Sequence, residues 1–128
     1  MLEVNNLTKQ KINCAKLKSA CAYFVKFYKM PWTEVSLAIV DDKIMQQLNK
    51  RYRGQNKATD VLSFGGVNEI IIDYEQIVRQ AAETKTRPAS ELLFIFVHGL
   101  LHLLGDDDKT EAGRLRMIKK GQDFIARL

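Results

Sequence analysis

Residues 88–108 read PASELLFIFVHGLLHLLGDDD, and their pattern predicts the central element of the fold. Between residues 92 and 104 the predicted helix is apolar on every side except at His98, Gly99 and His102. A helix without a polar face is buried inside a domain rather than laid on its surface. We therefore expect this helix to lie at the centre of the fold.

Four strands and three helices are predicted before this central helix in the sequence, and one helix is predicted after it. Alternating apolar residues predict four short strands, at residues 2–4, 34–40, 60–64 and 69–73. Apolar residues at helical spacing predict four other helices, at residues 8–28, 42–53, 74–83 and 110–127. Ser90 is the expected cap of the central helix, and Asp41 or Asp42 that of the helix that ends at Gly54. The residues expected to face inward from the last helix are Leu115, Ile118 and Phe124.

Together these elements predict an α+β fold, a single domain over residues 1–128 with one roughly four-stranded mixed sheet and surrounding helices. The 128 residues, 46% of them hydrophobic, suffice for one compact core. The order of the strands cannot be read from the sequence. No run reaches the ~20 consecutive apolar residues of a membrane span, and the first residues lack the layout of a secretory signal. We therefore expect a cytoplasmic protein without membrane contact.

Positive charge is concentrated in the first half of the chain. Residues 1–58 hold 11 Lys and Arg against 4 Asp and Glu, a net of +7, whereas residues 59–128 hold 9 against 11, a net of −2. A basic half favours a polyanionic partner such as nucleic acid. The alternative is a lysine-rich surface that only keeps the protein soluble.

The two histidines of the chain, His98 and His102, stand four residues apart on the central helix. Residues at that spacing share a helix face, so both rings can point at one metal ion. The alternative is that each ring bonds to a backbone carbonyl or a buried acid. Cysteine is not expected to add ligands, because Cys14 and Cys21 stand seven apart and fit buried free thiols in the first predicted helix.

The residues after His102 complete a metal-binding pattern. From His98 to Asp108 the spacing is that of the metzincin site H-x-x-x-H-x-x-G-x-x-H, with Asp in the last position. Gly105 can take the left-handed conformation that ends a helix and turns the chain back, so that a third ligand approaches the metal. Three protein ligands leave one tetrahedral position open, as in catalytic zinc sites. We therefore predict one zinc ion per chain, held by His98, His102 and Asp108 on a buried central metal-binding helix.

The residue that follows His98 bears on the reaction class, and the acidic residues after Gly105 leave alternatives for the third ligand. Metzincin proteases hold a glutamate base directly after the first histidine, and Gly99 stands there, so peptide hydrolysis by that mechanism is disfavoured. The alternative for residues 106–108 is a solvated acidic turn or a cap of the last helix. Asp106 or Asp107 is the alternative third ligand.

The spacing from His98 to Asp107, together with the block at residues 48–64, resembles the signature of the YbeY endoribonucleases. That block reads LNKRYRGQNKATDVLSF. The resemblance spans nearly the whole chain. The third metal ligand of that family is a histidine, where this chain has Asp108, and the aromatic residue that usually follows the glycine is Asp106 here.

The resemblance implies a zinc-dependent, single-strand-specific endoribonuclease that acts in 16S rRNA 3′-end maturation and ribosome quality control. The implied partners are single-stranded RNA, as the 16S rRNA precursor, and the ribosome or its small-subunit proteins, with no DNA expected. One alternative is a non-catalytic ribosome-binding or rRNA-binding assembly factor whose metal site is weakened by Asp108. A metallopeptidase is a further alternative, disfavoured by Gly99.

The resemblance maps the functional arginine of the family onto Arg53, as a catalytic and RNA-binding residue. Its place beside a glycine at a helix end, before a basic loop, independently suits a guanidinium that clamps a phosphate. The alternative is an arginine that contacts the last carbonyls of its helix. Arg51 and Lys57 are expected to bind RNA by backbone attraction. The residues interpreted first as structural are Thr59, Asp60 and Ser63.

Overall fold

A four-stranded mixed sheet forms the middle layer of the molecule, which a computed structural model describes over all 128 residues. The α+β prediction is confirmed. In chain order, the elements are β1 (Leu2–Asn6), α1 (Ala15–Phe27), β2 (Val35–Val40), α2 (Asp42–Arg53), β3 (Val61–Phe64), β4 (Glu69–Asp73), α3 (Tyr74–Glu83), α4 (Pro88–Leu104) and α5 (Glu111–Ala126).

The order of the strands in the sheet is β1-β2-β4-β3. β1 pairs with β2 and β2 with β4 in parallel, whereas β3 runs antiparallel to β4. The turn at Gly65-Gly66 therefore joins two neighbouring antiparallel strands, β3 and β4. β3 forms one edge of the sheet, and the cleft described below opens along it.

The two faces of the sheet carry separate hydrophobic clusters, because side chains alternate along a strand. Leu37 and Ile70 point into the larger cluster, which α1, α4 and α5 cover. Val40 and Ile71 point to the opposite face, where Met45 of α2 packs against them. The sheet is therefore covered by helices on both faces.

The predicted burial of the central helix is confirmed for α4. It packs against α1, α3 and α5 and against strands β3 and β4. At Gly99 a Cβ atom would lie 3.0 Å from Cγ2 of Ile70, so a glycine lets the helix approach the sheet closely. No single helix is long and apolar enough to cross a membrane, although α3 and α4 taken as one span bent by 115° pass by length and composition.

The first helix begins later than predicted, at Ala15 rather than near Thr8. Oδ1 of Asn6 accepts hydrogen bonds from the backbone N–H and the hydroxyl of Thr8, and Oδ1 of Asn13 accepts one from the N–H of Ala15. Such side-chain acceptors compete with helical backbone bonds. Cys14 therefore precedes the helix, half-buried. Burial raises the pKa of the Cys21 thiol to about 11, and both cysteines are free, as expected.

Two details of the later helices also differ from prediction. α4 begins at Pro88 after Arg87, so Ser90 lies inside its first turn and is not the cap. In α5 Leu115 faces solvent, 53% exposed, which overturns its inward assignment, whereas Phe124 is buried as predicted. The inward face of α5 includes Gly113, Met117 and Gly121. At Gly113 a Cβ atom would lie 2.9 Å from the carbonyl oxygen of Asp107, so this position has no room for a side chain.

Candidate metal centre in a cleft

His98 and His102 lie one helical turn apart on the same face of α4. Their ring centroids are 4.8 Å apart. The side chains are 14% and 24% exposed, so each ring is largely covered but opens to solvent on one side. The helix thus presents two imidazoles together, each partly open to solvent, on an element whose other faces are largely buried.

Gly105 ends α4 in the predicted left-handed conformation, with φ of 114° and ψ of 0°. Its backbone N–H donates to the carbonyl of His102, and the N–H of Asp106 donates to that of Leu101. These two bonds follow the Schellman pattern, which reverses the chain after a helix. The reversal returns the following loop toward the histidines.

The loop after Gly105 is anchored so that its aspartates play different roles. Asp106 accepts a hydrogen bond of 2.8 Å from Nζ of Lys120, and Asp107 accepts one from the backbone N–H of Lys109. Thr110, not an aspartate, caps α5. Of the three aspartates, only Asp108 faces the two rings.

The three predicted ligand side chains converge. Oδ2 of Asp108 lies 3.5 Å from Nε2 of His98 and 3.6 Å from Nε2 of His102. A tetrahedral zinc ion with ligands at about 2.0–2.1 Å separates its donor atoms by about 3.3–3.4 Å. Two imidazole nitrogens and one carboxylate oxygen at these separations fit such an ion with little movement. Binding of the ion itself stays a prediction.

Protonation also suits the histidines to metal binding. Nδ1 of His102 lies 3.2 Å from the carbonyl of Asp106, which can only accept, so this nitrogen carries the proton and Nε2 is free. Burial and the neighbouring His102 ring lower the pKa of His98, against the opposing effect of Asp108 and Asp60. His98 is therefore neutral at pH 7, as a metal ligand must be.

The cluster lies in a cleft of about 660 Å³. Its walls come from the end of α2, strand β3 and the beginning of α5. Arg53 lines the cleft together with His98, His102 and Asp108, which puts it where a phosphate near the cluster could be reached. Its guanidinium makes no ion pair with any carboxylate.

The other two predicted RNA-binding residues lie outside the cleft. The guanidinium of Arg51 lies over the Tyr52 ring, 5.6 Å from its centroid. Lys57 is exposed, and its backbone carbonyl accepts a hydrogen bond of 2.8 Å from the buried Asn49 side chain. Both are available to the flank of a bound strand, but the structure does not bring them to the metal cluster.

Several further polar residues line the cleft. Asp60 and Ser63, interpreted first as structural, face it, and the hydroxyl of Ser63 donates to the carbonyl of Gly99 across 3.4 Å. Sequence reasoning missed Arg114, which pairs with Glu111 at 2.7 Å. It also missed Gln80 and Glu91, which are joined by a hydrogen bond of 2.9 Å. No motif marks these three positions, because only the packing of α3 and α5 on α4 brings them to the cleft.

Gly99 gives a structural reason against metzincin chemistry. Its missing side chain points at the sheet, where a Cβ would already contact Ile70 at 3.0 Å. A glutamate at this position would be driven into β4 instead of toward the cleft.

Comparison with known proteins points to one family. A family profile described as "Endoribonuclease YbeY" matches residues 3–128. Proteins of that name include one from Syntrophotalea carbinolica, 34% identical with 100% of this chain and 95% of its own length covered. Another, from Moorella thermoacetica, is 41% identical with 73% and 71% covered. The solution structure of TM1509 from Thermotoga maritima superposes with a TM-score of 0.73 at 27% identity, covering 98% of this chain and 87% of that one.

Proposed function

The chain belongs to the endoribonuclease YbeY family, and from that premise we propose that it is a zinc-dependent endoribonuclease that cuts single-stranded RNA in the cleft beside α4. The observation that carries the proposal is the convergence of two histidines and one aspartate beside an unpaired arginine. His98, His102 and Asp108 are the proposed ligands of one zinc ion per chain. The profile match over residues 3–128 supports treating the chain as one hydrolase domain.

The donor set favours zinc among common metals. Imidazole and a single carboxylate suit a borderline-soft ion, whereas magnesium and calcium prefer oxygen ligands throughout. When bound, such an ion supplies Lewis acidity that lowers the pKa of a water molecule toward neutrality. The carbonyl of Asp106 keeps His102 in the tautomer that offers Nε2. Asp108 adds one negative charge, so a dication held here keeps a net positive charge to attract phosphate.

Arg53 is proposed to bind the scissile phosphate. A guanidinium can donate two parallel hydrogen bonds to phosphate oxygens, and these strengthen as negative charge builds up in the transition state. The absence of an ion pair supports this role, because an arginine already held by a carboxylate would have to break that contact first. Arg114, which also lines the cleft, is held in this way by Glu111.

The finer assignment follows the family resemblance. We propose that the substrate is the precursor of 16S rRNA, that cutting matures its 3′ end and contributes to ribosome quality control, and that the protein works in the cytoplasm beside the small ribosomal subunit. The basic last turn of α2, with Lys50, Arg51 and Arg53, supports an RNA backbone as the partner.

The test is cleavage of a single-stranded oligoribonucleotide and of 16S rRNA precursor by the purified protein. We expect cleavage that a chelator abolishes and that zinc restores. Arg53→Ala should lower the turnover rate on the order of 100-fold, as for other donors that stabilise transition-state charge. Arg127→Ala is the matched control, because Arg127 lies over the Phe27 ring, away from the cleft.

Two outcomes would overturn parts of the proposal. Full cleavage by Arg53→Ala would remove the role of Arg53. RNA binding without cleavage, in protein that retains no stoichiometric metal, would replace the enzyme with a binding factor for ribosome assembly.

A further inference from the structure

Tyr52 and Phe64 form an aromatic pair at the rim of the cleft. Their ring centroids lie 5.2 Å apart with planes at 68°, an edge-to-face arrangement. Phe64 is half-buried and packs on the smaller hydrophobic cluster, which contains Met45, whereas Tyr52 is 55% exposed. Both rings line the cleft together with Arg53. An exposed ring that packs on Phe64 therefore stands beside the residue proposed to bind phosphate.

The contact over the Tyr52 ring is a weak one. The guanidinium of Arg51 lies 5.6 Å from the ring centroid and makes no ion pair. The free energy of stacking a nucleobase on an aromatic ring is roughly two to three times that of an exposed arginine on the same ring. A base can therefore displace the guanidinium, which is then free to pair with a neighbouring phosphate.

We propose that Tyr52, supported by Phe64, is the platform on which one unpaired base of the RNA stacks, next to the phosphate that Arg53 contacts. This inference rests on the proposed function, because it assigns the position of the RNA within the same cleft. Tyr52 is a specificity-determining residue in this view, because it selects substrates with a free base face.

The platform gives a physical reason for a preference for single strands. In a duplex each base is paired and stacked between its neighbours, so no base can lie on Tyr52 without being unstacked first. An unpaired strand presents its bases without that penalty. Because every base has a stacking face, the platform selects for strandedness and not for sequence.

The test combines variants of Tyr52 with abasic substrates, using the metal-loaded protein. A single-stranded oligoribonucleotide is prepared in versions that each lack one base, and steady-state cleavage is measured for each. We expect Tyr52→Ala to raise KM about tenfold with a smaller change in kcat, and Tyr52→Trp to restore KM. Tyr23→Ala is the matched control, because Tyr23 is exposed but stacks on Phe27 outside the cleft.

The abasic series identifies the stacked position. With the wild type, loss of one particular base should raise KM, and with Tyr52→Ala that position should lose its effect, because the partner ring is gone. A 2-aminopurine at the same position should be quenched on rapid mixing with the wild type, before cleavage, but not with Tyr52→Ala.

Three results would overturn the inference, and they separate it from the proposed function. Unchanged KM in Tyr52→Ala with normal cleavage overturns the platform alone. A raised KM that is the same whichever base is missing also overturns it, because Tyr52 then only supports the rim. A wild type that neither binds nor cuts RNA defeats both proposals.

Discussion

Two clusters in this molecule each bring three ligand-capable side chains within 4.8 Å of one another: the cleft cluster (His98, His102 and Asp108) and the carboxylate cluster (Asp42, Asp73 and Glu75). They differ in the charge that already surrounds them. In the carboxylate cluster Arg79 donates to both oxygens of Asp42, at 2.8 and 2.7 Å. Glu75 and Asp73 accept hydrogen bonds from backbone N–H groups at the N-termini of α2 and α3.

The negative charge of the carboxylate cluster is therefore already neutralised by groups of the protein. Its positive partners are Arg79 and two helix N-termini, which favour anions and disfavour a further cation. The cleft cluster holds two imidazoles and one carboxylate, and no lysine or arginine is paired to Asp108. Proximity of ligand atoms therefore does not by itself indicate a metal site, because positive groups that already neutralise the carboxylates leave little for a cation to gain.

The largest effect that separates the two clusters is on metal content. Asp108→Ala and His98→Ala should each lose the metal and lower RNA cleavage by about 100-fold or more, because a two-ligand site holds zinc poorly. Asp42→Ala should keep one zinc per chain. Elemental analysis of the purified variants measures this.

Loss of a second equivalent of metal in Asp42→Ala would contradict this prediction, because it would show that the carboxylate cluster also binds an ion. The folded fraction of each variant, followed by circular dichroism, serves as the control.

The next effect concerns a proton that the buried Asp73 carboxyl holds in the carboxylate cluster. Asp73 is fully buried, and its Oδ2 has no hydrogen-bond partner. Burial, followed by the nearby Asp42, raises the pKa of Asp73 to about 7, whereas Arg79 lowers the pKa of Asp42 to about 2. A proton on Oδ2 of Asp73 that is donated to Asp42 gives this oxygen a hydrogen-bond partner, while Oδ1 of Asp73 already accepts from the N–H of Glu75. The carboxylate cluster then holds a proton where the cleft cluster is proposed to hold zinc.

The sign of the resulting pH dependence follows from the two pKa values. Between about pH 4 and 7 the folded protein binds a proton at Asp73 that the unfolded chain has lost, so this group lowers stability as pH rises. Asp42 acts in the opposite sense, and its contribution is lost only as pH falls from about 4 toward 2.

Asp73→Asn isolates the contribution of Asp73. The amide keeps an acceptor for the N–H of Glu75 and can donate to Asp42 without a titrating proton. We expect the variant to be more stable than the wild type at pH 8 by up to about 4 kcal/mol, and equal to it near pH 4. Urea unfolding at both pH values measures the difference. A constant difference across this range would show that Asp73 does not hold the proton.

The contrast between the clusters also separates what the sequence could predict from what it could not. The cleft cluster follows from local rules: helical spacing puts His98 beside His102, and Gly105 turns the chain toward Asp108. The carboxylate cluster depends on Asp42 and Arg79, which are 37 positions apart and meet only because α2 and α3 pack together. No periodic pattern contains that information.

The same distinction explains what the sequence left open about the fold and what was predicted wrongly. The strand order depends on which long-range pairs form, and β4 inserting between β2 and β3 leaves no local trace. Leu115 is predicted to face inward because it is apolar, whereas the buried face of α5 runs through Gly113 and Met117. A Cβ at Gly113 would lie 2.9 Å from the carbonyl of Asp107, so close packing selects glycine there.

A smaller effect tests the third ligand of the cleft cluster. Asp108→His should raise the retention of zinc about tenfold in competition with a chelator, because imidazole suits zinc better than a single carboxylate oxygen does. The side chain of Asp108 is 42% exposed, which leaves room for the larger ring. Unchanged retention in both Asp108→His and Asp108→Ala would remove residue 108 from the ligand set.

The smallest effect concerns the charges outside the clusters. Arg79 is already bound to Asp42, whereas Arg51 and Lys57 make no ion pair and flank the cleft. Each should therefore contribute one weak phosphate contact. Arg51→Ala or Lys57→Ala should then make the negative slope of log K, the binding constant for a single strand, against log salt concentration less steep by about 0.7. Lys16→Ala, on the exposed side of α1, should leave that slope unchanged.

Because a contact outside the cleft adds affinity without touching the reacting phosphate, kcat should be the same in all three variants. A fall in kcat for Lys57→Ala alone would place its ammonium at the reacting phosphate instead of on the flank of the strand.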